Sequence, residues 1–127
     1  MFVEYNPNPT GRNVGDCAVR AVAKALDIDW ETAYLMLAIN GFTMGDVPSS
    51  DSVWGATLRQ KGFKRESLPD TCPDCYDTAD FINDHPRGTF VLGYGGHTAC
   101  VRDGCLYDSW NSLLESPQFY WYREEDE

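Results

Sequence analysis

The chain is poor in positive charge. It carries 10 Lys and Arg against 20 Asp and Glu, a formal net charge of −10. Phosphates want clustered cations, so nucleic acid is not expected as a ligand. Acidity otherwise speaks only to solubility. No apolar run is long enough to span a membrane, so no membrane partner is expected. The start, Met1-Phe2-Val3-Glu4-Tyr5-Asn6-Pro7, lacks a basic region followed by an apolar one. No signal peptide is read there, and the expected location is cytoplasmic. The five cysteines are an odd number. Without a secretion signal a disulfide framework is not expected, and reduced thiols are the default. Internal repeats, linkers and low-complexity segments are also missing.

What is present fits one domain, residues 1–127, long enough to bury a core without staples. Residues Tyr5 to Asp16 hold two Pro, two Gly and three Asn, so they read as a loop. A first helix is expected from about Asp16 to Leu26, with Asp16 as cap or as first-turn negative charge. A second starts at the cap Asp29 and runs from Trp30 to Ala38. Its Trp30, Ala33, Tyr34 and Leu37 repeat at helical spacing and read as core, and Gly41 stops it. A third helix spans Val53 to Lys61, ended by Gly62. Phe63 to Leu68 reads as a short strand, Pro69 to Pro73 as a turn-rich stretch, and Thr78 to Asp84 as a short helix stopped before Pro86. Strands follow at Gly88–Tyr94, His97–Arg102, Cys105–Asp108 and Phe119–Arg123, with Asp103-Gly104 as a hairpin turn between the second and third. The closing run Arg123-Glu124-Glu125-Asp126-Glu127 reads as a solvated tail. Helices first and antiparallel strands afterwards make an α+β domain.

Chemistry concentrates at two places. Cys17 stands between the turn-rich Asn13-Val14-Gly15-Asp16 and the Ala-rich pattern that follows. A thiol at a helix N-terminus feels the positive end of the dipole, which favours the nucleophilic thiolate. Far downstream come His97 and Asp108. Thiolate attack needs a nucleophile, a base that holds the proton, and a group that holds the base. Cys17, His97 and Asp108 can fill those roles. Pairing through the Asp103-Gly104 turn brings His97 opposite the Ser109-Trp110 region, with Asp108 a neighbour along the strand. The backbone N–H of Cys17 and the side-chain amide of Asn13 are candidate oxyanion donors. Gly15 leaves room for a substrate chain, and Gly96 and Trp110 flank the expected cleft between the helical and strand halves.

Three segments carry a family likeness: Asn13-Val14-Gly15-Asp16-Cys17-Ala18-Val19-Arg20-Ala21, then Gly96-His97-Thr98-Ala99-Cys100-Val101-Arg102-Asp103-Gly104, then Tyr107-Asp108-Ser109-Trp110. Together they resemble the papain-like cysteine peptidase superfamily, in its small C39-like or phage-associated form. Gly15 to Ala21 is also similar to the start of OTU-type deubiquitinases. The resemblance covers the two ends of the chain; Ile39 to Arg87 matches only as generic helices and loops. It implies a papain-like fold, N-terminal helices on a C-terminal antiparallel sheet, and no cofactor. It implies a thiol hydrolase of peptide or isopeptide bonds acting on a peptide or protein substrate. Cys17 would be its nucleophile, His97 its base and Asp108 its orienter. Papain's oxyanion Gln, six positions before the Cys, is here Gly11, and the OTU Asp, three before, is here Val14.

Plainer readings stand beside these. Cys17 can be a small buried residue, His97 a satisfied core histidine, and Trp110 a core tryptophan. Asp108 can cap a turn, with Ser109 or Asn111 as orienter instead. His85, the only other histidine, reads as a surface residue at a helix end. Cys72-Pro73-Asp74-Cys75 lacks the second ligand pair that zinc needs and the βαβ setting of a redox motif. It reads as a loop with two thiols, or a local disulfide in an exported protein, and no metal is expected. For the whole chain the alternatives to hydrolysis are a non-catalytic papain-like binding or phage-structural module and a transglutaminase-like acyltransferase.

Overall fold

The computed structural model describes residues 1–123. The acidic tail read from the sequence beyond Arg123 lies outside the described residues.

The order is β1 (Phe2–Glu4), α1 (Cys17–Leu26), α2 (Trp30–Met44), α3 (Asp51–Gln60), β2 (Lys64–Ser67), α4 (Thr78–Asp84), β3 (Thr89–Tyr94), β4 (His97–Arg102), β5 (Cys105–Asp108) and β6 (Phe119–Arg123). Six strands form one sheet in the order β1-β5-β4-β3-β6-β2. The α+β class therefore holds. The purely antiparallel, C-terminal sheet does not, because β1 joins the edge parallel to β5 and β2 joins the other edge against β6. Three residues pairing in parallel have no turn to announce them, so only tertiary pairing makes β1 a strand.

Alternation along the strands sorts the core into two layers. Val91, Cys100, Phe119 and Trp121 face α1, α2 and α3, packing with Val22, Leu37, Trp54 and Leu58. Phe90, Leu92, Ala99, Val101 and Leu106 face the opposite side and pack with Phe81 of α4. The helix α4 begins with a capping box in which Asp77 and Asp80 satisfy each other's backbone N–H groups. His85 closes that helix half-buried, stacked on Phe81 at 4.2 Å, rather than standing free on the surface.

The helix α2 runs past Gly41 to Met44, beyond the expected stop. A Cβ on Gly41 would lie 2.8 Å from the Asp46 carbonyl oxygen, so this glycine permits a close approach of the following loop. The chain ends the helix at Gly45, at φ +71°. Ala33 and Leu37 are buried as expected, but Tyr34 is 45 % exposed. Its ring stacks on Trp30 at 5.1 Å and lines a surface groove instead of the core.

Candidate active site

Two glycine turns position the histidine and the acid. Gly96, at φ +84°, completes the β3–β4 turn and delivers His97 as the first residue of β4. Asp103 and Gly104 both adopt positive φ, 50° and 80°, the geometry an Asp-Gly hairpin turn demands. That turn sets the register Arg102↔Cys105, Val101↔Leu106 and Cys100↔Tyr107, so the end of β5 returns to the start of β4.

There His97 Nε2 and Asp108 Oδ2 lie 2.7 Å apart. Asp108 is 2 % exposed and heavily held. Its Oδ2 also accepts from Ser112 Oγ at 2.7 Å, and its Oδ1 accepts from the Ser109 N–H at 2.7 Å. Its backbone oxygen accepts from the Tyr5 N–H at 2.8 Å, so the β1 edge pins the acid's main chain. One carboxylate thus both bonds the His97 ring and caps its own turn. Asp108, and not the side chain of Ser109 or Asn111, bonds the His97 ring, and Ser112, which the sequence did not single out, braces that carboxylate.

Cys17 is the first residue of α1 and is half-buried. Its thiol is near enough to the His97 ring and to the Thr98 main chain for both to act on its titration. With Nε2 turned to Asp108, Nδ1 is the ring nitrogen left for the sulfur. Burial pushes the Cys17 thiol up, but the hydrogen bond and charge of His97, the Thr98 N–H and the Arg20 charge together outweigh it, and its pKa is lowered. Burial pulls His97 down, while its bonds to Asp108 and Cys17 and their negative charges carry it up to about 9. Both shifts run toward the charged pair, thiolate and imidazolium.

Arg20 links this pair to the helix start. It is 5 % exposed, beside Asp16 at 6 %. Its Nη1 donates to Asp16 Oδ1, and its Nη2 lies 3.7 Å from Asp108 Oδ1. Asp16 Oδ2 takes the Trp30 indole N–H at 2.9 Å. Asp16 holds the N-cap position but its side chain makes no cap bond, against the first of its two expected roles, because a buried guanidinium and an indole claim both its oxygens. The N–H groups of Cys17 and Ala18 are left without intrahelical or cap partners. Ala18 is itself 2 % exposed, so the N–H of Cys17 is the donor available to an oxyanion. Asn13 lies on the exposed loop before the helix, and its side chain has no hydrogen-bond partner among the described residues. The i,i+4 spacing of Asp16 and Arg20 was readable from the sequence; its burial against Asp108 was not.

Trp110 is not core. It is 45 % exposed, and its ring lies 5.0 Å from the His97 ring, tilted by 37°, covering one side of the imidazole. Gly15 lies in the open, with nothing within 4 Å of a Cβ placed on it.

The other cysteines separate cleanly. Cys72 and Cys75 form a disulfide, against the expectation of reduced thiols, because the turn between them folds the two sulfurs together. Cys100 is fully buried, and burial pushes its thiol up to about 12. Cys105 is half-buried and free. Among the described residues no three His, Cys, Asp or Glu side chains gather as metal ligands, and no helix is long and apolar enough to cross a membrane.

No family model, curated protein or solved structure matches the chain.

Proposed function

We propose that the chain is a cysteine hydrolase of peptide or isopeptide bonds, built on a papain-like plan. One observation carries the reading: residues 17, 97 and 108, distant in sequence, converge as thiol, imidazole and braced carboxylate. A thiol, an imidazole and a buried, hydrogen-bonded carboxylate in that order are what acyl transfer through sulfur needs.

The Cys17 sulfur attacks the carbonyl carbon of the substrate, forming an S–C bond. The N–H of Cys17, joined by the side-chain amide of Asn13, is the donor offered to the developing oxyanion. The His97 imidazolium gives its proton to the leaving amine as the C–N bond breaks, leaving a thioester. His97, now neutral, takes a proton from water, whose oxygen attacks the thioester. The acid is released, and the thiolate and imidazolium return. Asp108 holds the ring throughout.

The test is alkylation with iodoacetamide at pH 7, without reductant, followed by mass mapping. Cys17 should label far faster than Cys105, with Cys100 inert and Cys72 and Cys75 blocked. Equal, slow labelling of the three free thiols would remove the activated nucleophile. A Cys17→Ala variant retaining full hydrolysis would end the proposal. Adding a primary amine to the assay separates hydrolysis from transfer, since only transfer yields the amine conjugate.

A further inference from the structure

A groove of about 550 Å³ opens between the loop before α1 and the outer side of α2. It begins at Gly15 and Asp16, immediately before the nucleophile. Its walls are largely apolar: Val14, Val19, Trp30, Tyr34 and Pro48. Val14 and Tyr34 are exposed although both are large and apolar, which leaves a greasy wall facing water next to a reactive group. Tyr34 is held flat against Trp30 by stacking, and Trp30 is fixed by its bond to Asp16. The wall is therefore rigid and tied through Asp16 and Arg20 to the acid that orients His97.

Two charged residues line the groove, Arg12 and Asp16. Asp16 is already satisfied by Arg20 and Trp30. Arg12 has no ion-pair partner among the described residues and is exposed. The groove thus offers one uncompensated charge, a cation, on a molecule whose net charge is −10. A ligand that complements it has a bulky apolar body and a carboxylate within reach of the guanidinium.

We propose that this groove is the side-chain subsite of the same thiol site. It takes a large aliphatic or aromatic residue of a peptide beside the scissile bond, with a neighbouring carboxylate on Arg12. This rests on the hydrolase reading above and names its substrate class. A glycine- or lysine-flanked bond is the poor substrate. The strongly acidic surface does not select basic peptides here, because the only unsatisfied charge in the groove is positive.

The probes are N-acetyl-L-phenylalanine, its amide and N-acetylglycine, titrated into the full chain and followed by amide NMR shifts. The phenylalanine acid should move the amides of Val14, Gly15, Val19 and Tyr34. It should bind about tenfold or more tightly than the glycine acid, as burial of an aromatic side chain requires. Tyr34→Ser should abolish that ratio, and Arg12→Gln should erase the advantage of acid over amide. Shifts scattered elsewhere, equal binding of the glycine probe, or ratios untouched by either substitution would overturn the inference. Alkylation separates the two failures: a fast Cys17 with a silent groove sinks the subsite alone. A binding groove beside a Cys17 no faster than Cys105 sinks the hydrolase reading, and the subsite role with it.

Discussion

At the residue scale the site is an exercise in buried charge. Arg20 serves two carboxylates from the interior, and its Nε finds no partner among the described residues. Replacing it with Met would strand Asp16 and loosen Asp108, at a cost of about 3–5 kcal/mol in a urea or thermal unfolding measurement. The pH midpoint of Cys17 alkylation should also move up toward the ordinary thiol value, less in Arg20→Lys than in Arg20→Met. Lost packing alone would not move that midpoint. The thiol and imidazole act on stability in opposite directions. The raised His97 contributes stability that is complete below its ordinary 6.5 and is lost as pH rises through about 9. The lowered Cys17 contributes nothing at acid pH and gains as pH rises toward the free-thiol range. Between these limits the two slopes oppose each other, so the gain from Cys17 offsets the loss from His97. In Cys17→Ala only the His97 contribution remains, still raised by Asp108. Its urea midpoint should therefore fall relative to wild type between pH 7 and pH 8.5. A difference constant over that interval would mean the two groups are not an ion pair.

At the element scale the hairpin from β4 to β5 is what places the base against the acid. Gly104, at φ +80°, is hard to replace. Gly104→Ala should cost about 1 kcal/mol and slow Cys17 alkylation modestly by blurring the register. Gly93 makes a different demand. A Cβ there would lie 2.1 Å from the Phe119 ring, so Gly93→Ala should destabilise by about 1–3 kcal/mol through overpacking. Its effect on the alkylation rate at low temperature should be small. These elements were also the legible ones. Asp-Gly between apolar runs and a short run stopped before Pro86 are local signals, and the strands at His97–Arg102 and Cys105–Asp108 and the helix Thr78–Asp84 fall where they predict. The sequence signalled what lies within one turn or one hairpin. It was silent on β1, whose pairing partner is a hundred residues away, and on the tail of α2, where a glycine that looks like a stop is a packing contact. The three side chains proposed for the chemistry were picked out by type and order alone. Their braces, Arg20, Asp16 and Ser112, were not, since each acts through a contact that exists only in the folded chain.

At the scale of the whole molecule the helical layer supplies the sulfur and the sheet supplies the imidazole and carboxylate, so the site exists only when the layers are docked. The Cys72–Cys75 bridge lies in the loop between β2 and α4 and contacts none of the three groups. Reducing it should leave the alkylation rate of Cys17 unchanged, as a parallel time course with and without a phosphine reductant will show. The four tryptophans are distributed with equal consequence. Trp54 and Trp121 are buried, and Trp30 is stacked on Tyr34. Trp110 alone leans on the imidazole of His97. An indole touching a protonated imidazole loses emission to it, and recovers when the proton leaves. The intrinsic fluorescence of the protein should therefore brighten through about pH 9, and Trp110→Phe should flatten that titration. The chain carries its own optical gauge of whether the base is charged, readable without substrate, label or turnover.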